Sequence, residues 1–309
     1  MKKKILVLGG SYFLGRAFTD MAAERYELHL INRGNIPLNK RGVKEYHMER
    51  HNTRALSEIS YDEYAAVVDF CAYGPGDISC IFDNLNAAFR QYIFISTVDV
   101  YKRGLGEWLD ENAPLEDRDF GGEAGAYIRG KAALESELKE CCEKKNICYT
   151  SIRPAFIYGP GNYAPREGMY FNWIEKAGQI IHPLDADGFF QMVFVSDAAK
   201  AILKVCEEQK AYNEAFNICP MDLITYDSFA DTLKKACGRD FEKAELSVEE
   251  INKRGIPLPF PLTEKESNRY SSAKAKQILG MDYISFEEGL ASSFQSFINS
   301  GILSELNSE

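Results

Sequence analysis

Long apolar runs are missing from this sequence. No stretch of about 18 apolar residues occurs, so no membrane-spanning helix and no membrane partner are expected. The opening Met1-Lys2-Lys3-Lys4 precedes only a short apolar run before Gly9, less than a secretory core needs, so the lysines are read as the start of a first strand. Basic charge is also in deficit: 36 Lys and Arg stand against 46 Asp and Glu, a net charge of −10. No basic stripe compensates for it, which argues against a nucleic-acid partner. Histidine is scarce, and His29, His47, His51 and His182 stand at no ligand spacing. None of the eight cysteines forms a Cys-x-x-Cys, so no metal site is expected. Cys141 and Cys142 are adjacent in a helical pattern, a poor base for a disulfide framework, and reduced thiols in a cytoplasmic protein are the reading. Internal repeats and low-complexity tracts are absent.

What is present is ordinary globular material, 45% apolar and 27% charged. The 309 residues suffice for one large α/β unit or two joined domains. Strand patterns at 4–8, 27–31, 65–70, 92–95 and 148–153 alternate with helical patterns at 16–24, 78–89 and 127–142. That alternation predicts a doubly wound parallel sheet with right-handed crossovers. The turn-rich Gly159-Pro160-Gly161-Asn162-Tyr163-Ala164-Pro165 marks the expected boundary between a Rossmann domain (1–160) and a smaller C-terminal α/β lobe (161–309). The segment near 190–217 is expected to return to the first domain.

Gly9-Gly10-Ser11-Tyr12-Phe13-Leu14-Gly15 follows the first strand and opens a helix, the context in which a glycine loop cradles a pyrophosphate. Tyr12 stands where a further glycine would let the phosphates approach, and a purely structural turn is the competing reading. The second strand ends in Asn32-Arg33. Asn32 removes a carboxylate that would repel a 2′-phosphate and Arg33 offers a charge to pair with one, which leans the cofactor from NAD toward NADP. Glu49 is a candidate partner for the adenine amino group, with surface charge as the plain alternative. Cys71, Ala72 and Tyr73 end the fourth strand at the ligand edge of such a sheet.

Tyr127 and Lys131 lie four residues apart on one helix face. A lysine charge beside a phenol favours phenolate and suits it to accept a proton from a hydroxyl during hydride transfer. Ser96 and Thr97, at the end of the preceding strand, offer hydroxyls to orient the reacting oxygen, or merely to cap the strand.

With these segments the chain resembles the extended short-chain dehydrogenase/reductases of the NAD-dependent epimerase/dehydratase family. The likeness adds Thr97-Val98-Asp99-Val100-Tyr101, Ile152-Arg153-Pro154 leading to Tyr158-Gly159-Pro160-Gly161, Phe194-Val195-Ser196-Asp197, and Ser285-Phe286-Glu287-Glu288-Gly289-Leu290. The resemblance implies a catalytic set of Thr97, Tyr127 and Lys131. It also implies a dinucleotide contact at Pro154, a sugar or nucleotide-sugar substrate, and often a homodimer through two helices per subunit. Val98 and Asp99 replace the acid pair of the family's dehydratases, so 4,6-dehydration is not expected. An arginine frequent just before Phe194 is absent, Phe189-Phe190-Gln191 standing there, and Arg166 or Arg269 would have to supply its charge. The glycine loop also resembles an atypical branch that includes chloroplast stem-loop RNA-binding proteins. The expected function is an NAD(P)-dependent epimerase or oxidoreductase, with an NADPH-dependent carbonyl reductase or a non-catalytic dinucleotide sensor as alternatives.

Overall fold

A computed structural model describes residues 2–59, 63–118, 121–164 and 166–300. Pro165, which closes the expected boundary stretch, and 301–309 lie outside the described residues. The first half alternates as the periodicity requires: β1 (Lys4–Leu8), α1 (Phe13–Ala22), β2 (Glu27–Asn32), β3 (Val43–His47), α2 (Thr53–Ser57), β4 (Tyr64–Asp69), α3 (Asp77–Asn84) and β5 (Gln91–Ile95). There follow β6 (Trp108–Leu109), α4 (Gly122–Lys145), β7 (Cys148–Pro154) and β8 (Phe156–Tyr158). The remainder holds α5 (Glu167–Ala177), β9 (Gln179–Pro183), β10 (Phe189–Phe190), β11 (Met192–Phe194), α6 (Val195–Val205) and β12 (Glu214–Ile218), then β13 (Ile224–Thr225), α7 (Tyr226–Cys237), β14 (Glu242–Leu246), α8 (Val248–Arg254), β15 (Arg269–Tyr270), α9 (Ala273–Leu279) and a last helix, α10 (Phe286–Asn299).

Seven strands form one sheet in the order β12-β7-β5-β4-β1-β2-β3, every pair parallel. β1 is sandwiched, with Val7 opposite Leu30 on one side and Val68 on the other. Alternate residues face opposite cores: Ile5 and Val7 pack with Phe18, Ala198 and Ile202, while Leu6 and Leu8 pack with Ile78, Ile81, Leu134 and Leu138. Burial on both faces is why the strands read as continuous apolar runs. The strand near 214–218 pairs with β7, so the segment after 190 does rejoin the large sheet. A separate aromatic core, with Tyr170, Phe171, Phe190, Phe229 and Phe260 at its centre, serves the second half.

Boundaries differ in places. The helix expected at 78–89 ends at Asn84, because Leu85 turns extended (φ −72°, ψ 117°). The helix expected at 16–24 starts three residues earlier, at Phe13, and the one at 127–142 spans Gly122–Lys145, closed by Asn146 in the left-handed region. Residues 192–195 hold β11 and the first residue of α6.

Candidate functional site

The chain passes from β1 to β2 on one side of the sheet and reaches β4 on the other, so the loops leaving the neighbouring carboxyl ends of β1 and β4 run in opposite directions. A crevice opens at such a switch point. A cavity of about 1400 Å³ lies there, walled by the loop after β1, the ends of β2, β4, β5 and β7, the start of α5, and the Leu258–Leu262 loop.

The glycine loop is shaped by two close approaches. Gly9 sits at φ +83°, and a Cβ on Gly15 would lie 2.4 Å from the Gly9 carbonyl oxygen, so only glycine lets α1 begin this close to β1. Tyr12 at the N-cap of α1 makes no side-chain capping bond, which leaves first-turn N–H groups for an anion. These features fit the pyrophosphate of a dinucleotide. Tyr12 itself does not fill the cradle: its ring turns outward and stacks on Tyr163 at 5.3 Å, with Phe13 edge-on to the same ring at 5.9 Å.

Gly9, Ser11, Tyr12, Phe13, Leu14 and Gly15 all line the cavity, as do Asn32, Arg33, Glu49, Cys71, Tyr73 and Pro154. Gly10 and Ala72 stand behind its wall. A Cβ on Gly10 would meet Thr19 and Val7, and the Ala72 carbonyl faces Lys131. The Asn32 amide is engaged locally, donating to Glu45 and accepting from the Gly34 N–H at 2.8 Å.

Thr97, Ser96, Tyr127 and Lys131 share the cavity. Lys131 is 3% exposed, and its ammonium donates to the carbonyls of Ala72 (2.9 Å) and Ile95 (2.8 Å). Burial brings its pKa down to about 8, against the opposing pull of Asp69 and Cys71. Burial raises the pKa of the Tyr127 phenol, and Asp99, Tyr73 and Tyr163 push the same way, while Arg166 alone pulls it down among the main influences. The lysine ammonium stands 5.9 Å from the Tyr127 ring centre and donates to two carbonyls. The hydroxyl of Thr97 caps the turn after β5, accepting from the Asp99 N–H at 3.2 Å, and that of Ser96 donates to Glu135 at 2.6 Å. Both hydroxyls are thus engaged, that of Thr97 as a cap and that of Ser96 across to α4.

Sequence reasoning missed Arg50. It lines the cavity and donates twice to Asp69, whose fully buried carboxylate also takes the Tyr92 hydroxyl and the Cys71 N–H. The signal was available: Asp69 is a lone acid in the apolar strand 65–70. Arg166 and Arg103 line the cavity near Asp99, whose carboxyl burial pushes up and whose charge both guanidiniums favour. Arg269 is drawn off to Glu264 and the Gly106 carbonyl. Phe190 is core, stacked on Phe260 at 3.9 Å, while Phe189 lines the cavity. Among the described residues no group of His, Cys, Asp and Glu could hold a metal ion, and no helix is long and apolar enough to cross a membrane.

Residues 80–219 match the model of the NAD dependent epimerase/dehydratase family. A chloroplast stem-loop binding protein of 41 kDa from Arabidopsis thaliana is 28% identical over 316 residues, which cover 95% of this chain and 79% of the relative. Among solved structures, UDP-glucose 4-epimerase from Thermotoga maritima with UDP-glucose superposes with a TM-score of 0.76 at 19% identity, over 96% of this chain and 99% of that one. The Thermus thermophilus UDP-glucose 4-epimerase complex with NAD gives 0.73 at 17% identity, over 96% and 99%. Those likenesses establish the fold. The likeness to the NAD dependent epimerase/dehydratase family thus lies in residues 80–219, within a fold shared along nearly the full length of the chain.

Proposed function

We propose that the protein is an NAD(P)-dependent enzyme of sugar or nucleotide-sugar chemistry, working by Tyr127-assisted hydride transfer. The observation that carries this reading is the single cavity joining the glycine loop to Tyr127, Lys131 and Thr97. When bound, the nicotinamide would supply the donor or acceptor of hydride. Gly9 to Gly15 and the first-turn N–H groups of α1 would hold the pyrophosphate. Arg33 and Glu49 would serve the adenosine, and Cys71, Tyr73 and Pro154 shape the wall. With two of its N–H bonds on carbonyls, Lys131 would have a third for a ribose hydroxyl. Tyr127 moves the proton at the substrate oxygen, and Thr97 fixes the turn that faces it.

In a reductase form Tyr127 would donate its proton to the substrate oxygen as hydride is delivered, and Arg33 would pair a 2′-phosphate. The stem-loop binding named for the Arabidopsis relative is not carried over, since a net charge of −10 opposes a phosphate backbone. The test is to denature freshly purified protein and identify any released dinucleotide by mass. Stoichiometric NAD⁺ supports an epimerase that keeps its cofactor; an empty protein that prefers NADPH to NADH supports the reductase. Turnover that survives Tyr127→Phe would overturn the mechanism in either form.

A further inference from the structure

One turn beyond Lys131, the same helix turns a third polar side chain inward, Glu135, for which the proposed chemistry has no use. Its carboxylate is a junction. One oxygen accepts from the Ser96 hydroxyl (2.6 Å) and from Arg153 Nε (2.8 Å), and the other accepts from Arg153 Nη2. Both side chains of the pair are under a tenth exposed. Arg153 Nη1 then donates to the Tyr101 hydroxyl (2.7 Å), which donates to Asn217 (2.7 Å). The junction therefore ties the end of β5 to α4, to β7 and, through Tyr101, to β12.

The link to the site runs through one peptide plane. The carbonyl of Ile95 and the N–H of Ser96 belong to a single planar unit, so fixing one orients the other. That N–H donates to the Ile152 carbonyl at 2.7 Å, and the Ile95 carbonyl is one of the two supports of the Lys131 ammonium. We infer that Glu135, braced by Arg153, is a positioning residue: by pinning Ser96 it holds the Ile95 carbonyl under Lys131 and so keeps that ammonium charged and aimed. This rests on the proposed role of Lys131 in dinucleotide binding. The other groups that act on Lys131 are Asp69 and Cys71 from the end of β4, Arg50 from the loop after β3, and Asp77 from α3, with the rings of Tyr73, Phe94 and Tyr127 around it.

The experiment follows the titration of Lys131 directly, by NMR of isotope-labelled lysine side chains in the intact protein, with Lys131→Met to assign the signal. The midpoint near 8 is expected to fall by about one pH unit in Glu135→Gln, as one hydrogen bond to a charged group is loosened. Ser96→Ala cuts the same link from its other end and leaves the Glu135–Arg153 pair whole; it is expected to move the midpoint the same way. Phe229→Leu, a change in the distant aromatic core, is the control for lost stability and should leave the midpoint in place. A midpoint unmoved in Ser96→Ala, or in both variants, overturns the inference. A shift of equal size in Phe229→Leu does so too, by showing general loosening. NADH and NADPH binding, followed separately by nicotinamide fluorescence, tests the cofactor reading, so failure of one is not failure of the other.

Discussion

Gly130 lies between Tyr127 and Lys131, and its missing side chain sets how closely the helix approaches the end of β4. An alanine Cβ there would stand 2.3 Å from the Tyr73 carbonyl oxygen. Ordinary carbon–oxygen contacts are about 3.3–3.6 Å, so Gly130→Ala must part helix and strand end by about 1 Å. The Lys131 bond to the Ala72 carbonyl, 2.9 Å long, would then exceed hydrogen-bond range. Losing a charge-assisted contact of that kind costs about 1.5–3 kcal/mol, or roughly 10- to 100-fold in affinity for a ligand that Lys131 holds. A displacement of about 1 Å at Tyr127 costs turnover about 100-fold. Stability should fall as well, by up to about 2–3 kcal/mol, since overpacking of about 1–3 kcal/mol is partly offset by up to about 1 kcal/mol of gained helix propensity. Nicotinamide fluorescence titration and urea unfolding of the same preparation measure the two effects. Dinucleotide affinity within about threefold of wild type, a difference of under about 0.7 kcal/mol, would refute the claim that this contact sets the geometry.

Other expectations concern charge and packing. Dinucleotide affinity should fall as pH rises through about 8, where the Lys131 ammonium is lost, and Lys131→Met should abolish that limb in a fluorescence titration. The same group affects stability with the opposite sign. Its folded pKa lies below the usual lysine value of 10.5, so the unfolded chain binds more protons between about 8 and 10.5 and this contribution to stability rises with pH across that window. Urea midpoints of wild type and Lys131→Met across the window isolate it. Asp69→Ala leaves the Arg50 guanidinium buried without its carboxylate and should cost about 3–5 kcal/mol by urea unfolding, whereas a paired replacement of Arg50→Met with Asp69→Leu should recover much of it. A single-variant loss under about 1 kcal/mol would show that water replaces the pair. Phe260→Ala removes a ring stacked at 3.9 Å on Phe190 and should cost about 3–5 kcal/mol, read as a lower unfolding midpoint.

The sheet was legible because its signal is local. Buried parallel strands carry unbroken apolar runs, and the helices between them keep their period, so β1, β2, β4, β5 and β7 stood out. Helix ends were less legible, since Phe13 starts α1 at φ +41°, a conformation that residue identity does not announce. At the site, the glycine loop and the Tyr127/Lys131 pair could be read from spacing alone. Their electrostatics could not. The phenol's state is set by burial and by Asp99 and Tyr163, which spacing does not bring near it, and the lysine's by carbonyls 36 and 59 residues away. Arg50 and Asp69 were missed for the same reason, being 19 residues apart in sequence and paired at 2.9 Å.

The strand Glu214–Ile218 joins the large sheet only after the chain has laid down α5, β9, β10, β11 and α6. Ala198 and Ile202 of α6 pack in the same core as Phe18 of α1. A chain severed near 160 would therefore lose an edge strand and a covering helix together, and β7 would be left with an unpaired border. Such a border invites intermolecular strand pairing. The late return of this segment makes the assembly of the sheet a long-range event, and long-range closure is slow. During synthesis, the first half would have to wait, incomplete and prone to aggregate, until well past residue 200 had emerged. Chaperone dependence of expression, more than equilibrium stability, is where substitutions in Val195–Val205 and Glu214–Ile218 should tell first.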